Sequence, residues 1–224
     1  VVLADVLADE LQSVEQAVAE RGGRALAVPT DLRNNDDLIS LVEKAAGEFG
    51  RIDVLVNCAG VSVGGPSHEY AETDWRFTFD VNVDAAFKLA KLVAVHMIPQ
   101  RSGSIINITS IGAAQGFPNN PAYQASKGAL QQLTRALATD WARYNIRVNN
   151  LCPGYFMTAM TRKSWSNPQI ASRRAARCML NRWGEPRELV GPVIFLASEA
   201  SSYMTGNDLF IDGGFNKTGI LEGQ

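Results

Sequence analysis

The chain has 224 residues, 46% of them hydrophobic, and 21 Lys+Arg against 23 Asp+Glu leave a formal charge of −2. That length can bury a sizeable core, in one large domain or two small ones. Balanced charge without a basic block argues against nucleic acid or an anionic membrane as partner, and no apolar run reaches the roughly eighteen residues of a membrane-crossing helix.

Short apolar runs alternate with longer amphipathic ones. Val1–Ala4 reads as the end of a strand, Leu11–Arg21 as a helix closed by Gly22 and Gly23, and Ala25–Val28 as a second strand. Asp36–Phe49 reads as a helix, because Leu38, Leu41, Val42, Ala45 and Phe49 fall on one face. Ile52–Val56 is a third strand, Trp75–Met97 a long helix and Ser104–Ile108 a fourth strand. From Tyr123 to Tyr144 an apolar stripe through Leu130, Leu133, Leu137 and Trp141 has helical spacing. Ile146–Leu151 is a fifth strand, Pro186–Ser198 a helix, and Asp208–Ile211 a last strand before Asp212-Gly-Gly214. This alternation predicts βαβ units and an α/β fold, with a parallel sheet covered on both faces. No repeat, low-complexity tract or linker divides residues 1–224, which are read as a single domain.

The three cysteines, Cys58, Cys152 and Cys178, are an odd and widely spaced set. Such a set suits a reducing cytoplasm better than a disulfide framework. Cys58 and Cys152 stand at strand ends and read as small buried residues. The two histidines, His68 and His96, are too far apart to suggest a metal cluster. No Gly-x-Ser-x-Gly elbow supports a hydrolase.

Ligands of open parallel α/β sheets bind at the carboxyl ends of the strands. Polar or glycine residues stand at five such ends: Asp5, Asp31, Asn57-Cys-Ala-Gly60, Thr109-Ser110 and Cys152-Pro-Gly154. Tyr123 and Lys127 are four residues apart, so a helix puts them on one face, and Ser110 lies thirteen residues upstream. A cation beside a phenol favours the phenolate and lowers its pKa from about 10. The expected result is a tunable proton donor and acceptor beside a hydroxyl that can hold a substrate oxygen, which points to alcohol/ketone redox chemistry.

In order and spacing, Asn57-Cys-Ala-Gly60, Asn82 within Val81-Asn-Val83, Ser110, Tyr123-x-x-x-Lys127, Asn149 through Pro153-Gly154, Thr158 and Ile211-Asp-Gly-Gly214 resemble the short-chain dehydrogenase/reductase family over essentially the whole chain. The resemblance implies a Rossmann-type doubly wound sheet and a catalytic group of Asn82, Ser110, Tyr123 and Lys127. Ser110 would hold the substrate carbonyl, and Tyr123 would pass the proton. Lys127 would lower the tyrosine pKa and bind the nicotinamide ribose, while Asn82 would keep a water in the proton path through a helix irregularity. Asp5, Asp31, Leu32, Asn57, Ala59, Gly60, Pro153, Gly154 and Thr158, with Tyr123 and Lys127, would line the cofactor. An acidic Asp5 would bond the adenosine ribose hydroxyls and repel a 2′-phosphate, favouring NAD while leaving NADP possible. A homotetramer is also implied, packed through the two long helices and the C-terminal strand.

The family normally begins with about 30–40 further residues carrying the first strand, the Gly-rich phosphate turn and the first helix. That strand lies in the middle of the sheet, and losing its four or five apolar side chains would forfeit roughly 6–15 kcal/mol. A chain starting at Val1 is therefore expected to fold poorly, and the sequence is expected to be part of a longer enzyme. Gln115, Phe117, Asn119 and Asn120 precede Tyr123 and could line a substrate pocket with Ser110. The segment from Thr158 to Trp183 resembles the family's substrate lid. Amide-rich lining and Arg182-Trp-Gly-Glu-Pro186 suggest a polyol, sugar or sugar acid, similar to gluconate 5-dehydrogenases. A 3-oxoacyl-thioester reductase remains open, as does a remnant that only assembles or binds.

Overall fold

The computed structural model describes residues 1–217. Two parallel sheets result from the alternation. Strands β1 (Val2–Asp5) and β2 (Leu26–Pro29) form one, with Val2 opposite Leu26 and Asp5 opposite Pro29. Strands β3 (Val54–Asn57), β4 (Gly103–Ile108), β5 (Ile146–Pro153) and β6 (Asp208–Ile211) form the other, in the order β3-β4-β5-β6. This is the Rossmann-type α/β arrangement expected. No hydrogen-bonded strand joins β1 to β3 among the described residues, and on the latter Val54 and Val56 are each 38% exposed.

Adjacent residues of a strand point to opposite faces, and both faces of the larger sheet are covered. Ile105 and Val148 pack with Leu38, Leu41 and Val42 of α2 (Asn35–Phe49), Leu89, Val93 and Met97 of α4 (Ala85–Gln100), and Leu137 of α5 (Pro121–Trp141). Ile106 and Leu151 face the other way, onto Leu196 of α8 (Val190–Ala197). Each such fully buried side chain contributes about 1.5–3 kcal/mol. On the smaller sheet lies α1 (Ala8–Glu20), of which Leu11 is the buried residue.

Three expected helices differ in detail. The stretch expected as one helix over Trp75–Met97 is α3 (Glu72–Phe79), a π-helical turn (Asp80–Asp84) and α4. A 3₁₀ turn, Pro186–Leu189, precedes α8, and another, Ala142–Tyr144, follows α5. Between β5 and α8 stand two short helices that no apolar stripe announces, α6 (Arg162–Trp165) and α7 (Pro168–Ala175). The Asn167 side chain starts α7 by accepting from the amides of Gln169 and Ile170.

Candidate active site

Ser110 follows β4 and Tyr123 sits in the first turn of α5, whose start is set by Pro121. The Ser110 hydroxyl stands near enough to the Tyr123 phenol to favour its ionised form. Ser110 Oγ also accepts from Gly112 N at 3.0 Å. A Cβ on Gly112 would lie 3.4 Å from Ser110 Oγ and 3.6 Å from the Tyr123 ring, so this glycine lets the loop close over the pair. Lys127 lies one turn after Tyr123. It is buried, its Nζ donates to Ile108 O at 2.7 Å, and it stands 5.7 Å from the centre of the Tyr123 ring.

Burial dominates the electrostatics of this group. It pushes the Tyr123 phenol above its usual range, and the Ser110 hydroxyl only partly offsets that. The expectation that Lys127 holds the phenol down is thus corrected: desolvation is the larger effect. Burial also pulls Lys127 down to about 8, with the nearby Cys58 acting in the opposite sense.

Asn82 lies within the π-helical turn, which is the helix irregularity that the family resemblance implied. Such turns widen the helix and free side chains for other work. Asn82 Oδ1 accepts from Val61 N at 2.8 Å; its Nδ2 donates to Val61 O at 3.0 Å and to Ser126 Oγ at 2.9 Å. Ser126 Oγ in turn donates to Tyr123 O at 2.8 Å. The turn is thereby fixed both to the loop after β3 and to the helix that carries Tyr123 and Lys127.

The expected cofactor residues form the rim. Asn57 ends β3 and donates Nδ2 to Asn107 Oδ1 at 2.8 Å. Ala59 is exposed, and a Cβ on Gly60 would lie 3.3 Å from Lys127 Nζ, so the chain passes close to Lys127 there. Asp5 ends β1, accepting from Leu7 N at 3.1 Å, while Asp5 O takes Thr30 N at 2.9 Å and ties the ends of β1 and β2 together. Asp31 pairs with Arg33 at 2.7 Å, and that guanidinium holds its carboxyl below the usual range. The cap of α2 is Asn34, not Asp31. Leu32 packs against the core. Pro153 ends β5, and a Cβ on Gly154 would meet the Asp212 backbone at 2.7 Å. Thr158 N donates to Thr161 Oγ1 at 3.1 Å, and Trp165 Nε1 donates to Thr158 O at 2.9 Å. Open acceptors at Asp5 and Asn57 and close backbone at Gly60 fit a hydroxyl-rich dinucleotide.

The substrate side is less uniform. Gln115 is exposed and turns its amide to Asn216 at 2.9 Å, whereas Phe117 joins an aromatic cluster with Tyr155 and Phe215. Tyr155 and Trp183 were not foreseen from the sequence, and Arg174 of α7 lies 4.9 Å from the Tyr155 ring centre and 5.9 Å from that of Trp183. Aromatic spacing was the available signal, but the residues come from separate segments. Cys58 is exposed rather than buried, because it follows the edge strand β3; Cys152 is buried as expected.

The family model described as enoyl-(acyl carrier protein) reductase matches residues 1–216. Gluconate 5-dehydrogenase of Gluconobacter oxydans (strain 621H) is 37% identical over 214 residues, covering 96% of this chain and 84% of the relative. The chain belongs to the short-chain dehydrogenase/reductase family. Among solved structures, a gluconate 5-dehydrogenase from Burkholderia cenocepacia J2315 in complex with NADP and tartrate is similar with a TM-score of 0.93 and 34% identity, over 97% of this chain and 86% of that one. NAD+-bound xylitol dehydrogenase is similar with a TM-score of 0.90 and 34% identity, over 95% and 88%. As a short-chain dehydrogenase/reductase, the protein is an NAD(P)-dependent oxidoreductase. Among the described residues no helix is long and apolar enough to cross a membrane, and no cluster of His, Cys, Asp and Glu could hold a metal ion.

Proposed function

We propose that the protein interconverts a secondary alcohol and a ketone on a sugar acid, sugar or polyol, with Tyr123 as the proton-transfer residue. The observation that carries this reading is Tyr123 standing beside Ser110, one helical turn before the buried Lys127, whose Nζ lies 5.7 Å from the Tyr123 ring centre. The nicotinamide cofactor, when bound, supplies or takes the hydride. Ser110 holds the substrate oxygen beside the phenol. In reduction Tyr123 gives its proton to that oxygen, which suits a phenol kept protonated by burial. In oxidation the Tyr123 phenol first loses its proton to solvent, and the phenolate then takes the proton of the substrate alcohol, with the Lys127 ammonium one turn away offsetting the phenolate charge. Asn82 maintains the π-helical turn behind it.

Asp5, Asp31, Leu32, Asn57, Ala59, Gly60, Pro153, Gly154 and Thr158 line the cofactor in this reading, with Phe117 on the substrate side. The carboxylate of Asp5, and an Arg33 already paired with Asp31, favour NAD over a cofactor with a 2′-phosphate. Similarity to a gluconate 5-dehydrogenase and to a xylitol dehydrogenase supports a polyhydroxylated substrate. Residues 1–224 act as one domain in a cytoplasmic homotetramer, with exposed Phe87 and Val95 on α4 and Val190 and Ile194 on α8 as apolar surface for packing. The test is a panel of gluconate, polyols and acetoacetyl thioesters with both cofactors. Turnover of gluconate or a polyol with NAD at the highest kcat/KM supports the reading; preference for the thioester with NADPH refutes it.

A further inference from the structure

A row of polar side chains crosses the larger sheet beside the active site. Asn57, Asn107, Asn150 and Asp208 stand opposite one another on β3, β4, β5 and β6. Asn57 Nδ2 is 2.8 Å from Asn107 Oδ1, and Asn107 Nδ2 is 2.8 Å from Thr134 Oγ1. Thr134 Oγ1 is 2.6 Å from Asn150 Oδ1, and Asn150 Nδ2 is 2.7 Å from Asp208 Oδ1. The second Asp208 oxygen pairs with Arg135. Thr134 and Arg135 belong to α5, and Asn107, Thr134 and Asn150 are buried.

Amides and hydroxyls alone could run in either direction, because each amide can turn over. A carboxylate only accepts. Asp208 therefore obliges Asn150 to present its NH2 group. Asn150 Oδ1 then faces Thr134, which must donate; its other acceptor, Leu130 O, is farther at 3.1 Å. Thr134 Oγ1 takes Asn107 Nδ2, and Asn107 Oδ1 takes Asn57 Nδ2. The two acceptors facing Asn150 Nδ2, Asp208 at 2.7 Å and the more distant Gln131 O at 3.3 Å, fix all the others, with the shorter, charged contact from Asp208 dominating. At the far end, Asn57 Oδ1 has no partner among the described residues and is not sealed from solvent.

We propose that Asp208 is a positioning residue for the cofactor: it sets the direction of the row, so that Asn57 meets the ligand as a hydrogen-bond acceptor for one of its hydroxyl or amine donors. Asp208 acts three strands away, about 14 Å at strand spacing. The proposal rests on the reading that Asn57 lines the cofactor site. Dissociation constants of NAD+ and NADH are measured by fluorescence titration on the full chain, for the parent, Asn57→Ala, Asp208→Leu and the double variant, with the melting temperature of each. Asn57→Ala and Asp208→Leu are each expected to weaken binding about three- to tenfold, as for loss of one hydrogen bond. In the double variant, binding is expected to be no weaker than in Asn57→Ala alone, because the effect of Asp208 passes through Asn57. Should Asp208→Leu fail to fold, Thr134→Val cuts the row at its middle and serves the same comparison. The proposal is overturned if Asp208→Leu leaves affinity unchanged, or weakens it equally with and without Asn57. If Asn57→Ala itself leaves affinity unchanged, the placement of Asn57 at the cofactor is what has failed, and the proposal falls with it.

Discussion

Replacing Lys127 by Met should change how stability responds to alkaline pH. Lys127 is 4% exposed and its proton affinity is pulled down to about 8 by burial. An unfolded lysine keeps its proton to about 10.4. Between those values the unfolded chain binds more protons than the folded one, so stability rises with pH. Below pH 8 both states are protonated, and the folded state bears the full cost of a buried ammonium. At about 1.4 kcal/mol per tenfold change in proton affinity, the gain is roughly 2–3 kcal/mol, most of it between pH 7 and pH 10. Urea unfolding followed by tryptophan fluorescence, at pH 7 and pH 10 on the parent and Lys127→Met, isolates this effect, because groups not coupled to Lys127 contribute equally to both. The parent should gain that amount relative to the variant as pH rises. A difference that stays flat, or falls, would refute the burial argument.

Tyr123→Phe should keep the far-UV circular dichroism of the parent and lower kcat about 10²–10⁴-fold, as expected for a lost proton-transfer residue; near-parental turnover would remove Tyr123 from its assigned role. Gly154→Ala should cost about 1–3 kcal/mol, since the added Cβ meets backbone at Asp212 that cannot swing aside, and a melting curve reads the loss. Thiol titration of the folded protein should find one fast cysteine, Cys58. Burial raises the thiols of Cys152, to about 12, and Cys178, so both should react only on unfolding.

Features that one local segment encodes were legible in the sequence. Ile105 and Ile106 of β4 and the stripe of Leu38, Leu41 and Val42 on α2 announce their elements, because burial selects apolar residues at the period of the backbone. Tyr123, Lys127 and Ser110 were found because the first two share a helix face and the third closes a strand. The direction of the Tyr123 pKa shift was misjudged, since a sequence shows the neighbouring cation but not the depth of burial. Helices α6 and α7 were missed because Arg162–Trp165 and Pro168–Ala175 carry no apolar stripe. The row from Asn57 to Asp208 was invisible for a different reason: it exists only in the register between strands far apart in sequence.

The π-helical turn at Asp80–Asp84 has one more consequence. It holds a residue beyond what an α-helix of the same rise would need, and each residue advances an α-helix by about 100°. Because the turn absorbs that residue, deleting one there would repair the α-helical ladder and leave Leu89, Val93 and Met97 in phase with the sheet, while Asn82 would lose its place against Val61. The extra residue therefore serves Asn82 and not the core stripe. A single-residue deletion within Asp80–Asp84 should spare folding and abolish activity, whereas the same deletion inside α4 should turn the stripe by about 100° and cost stability.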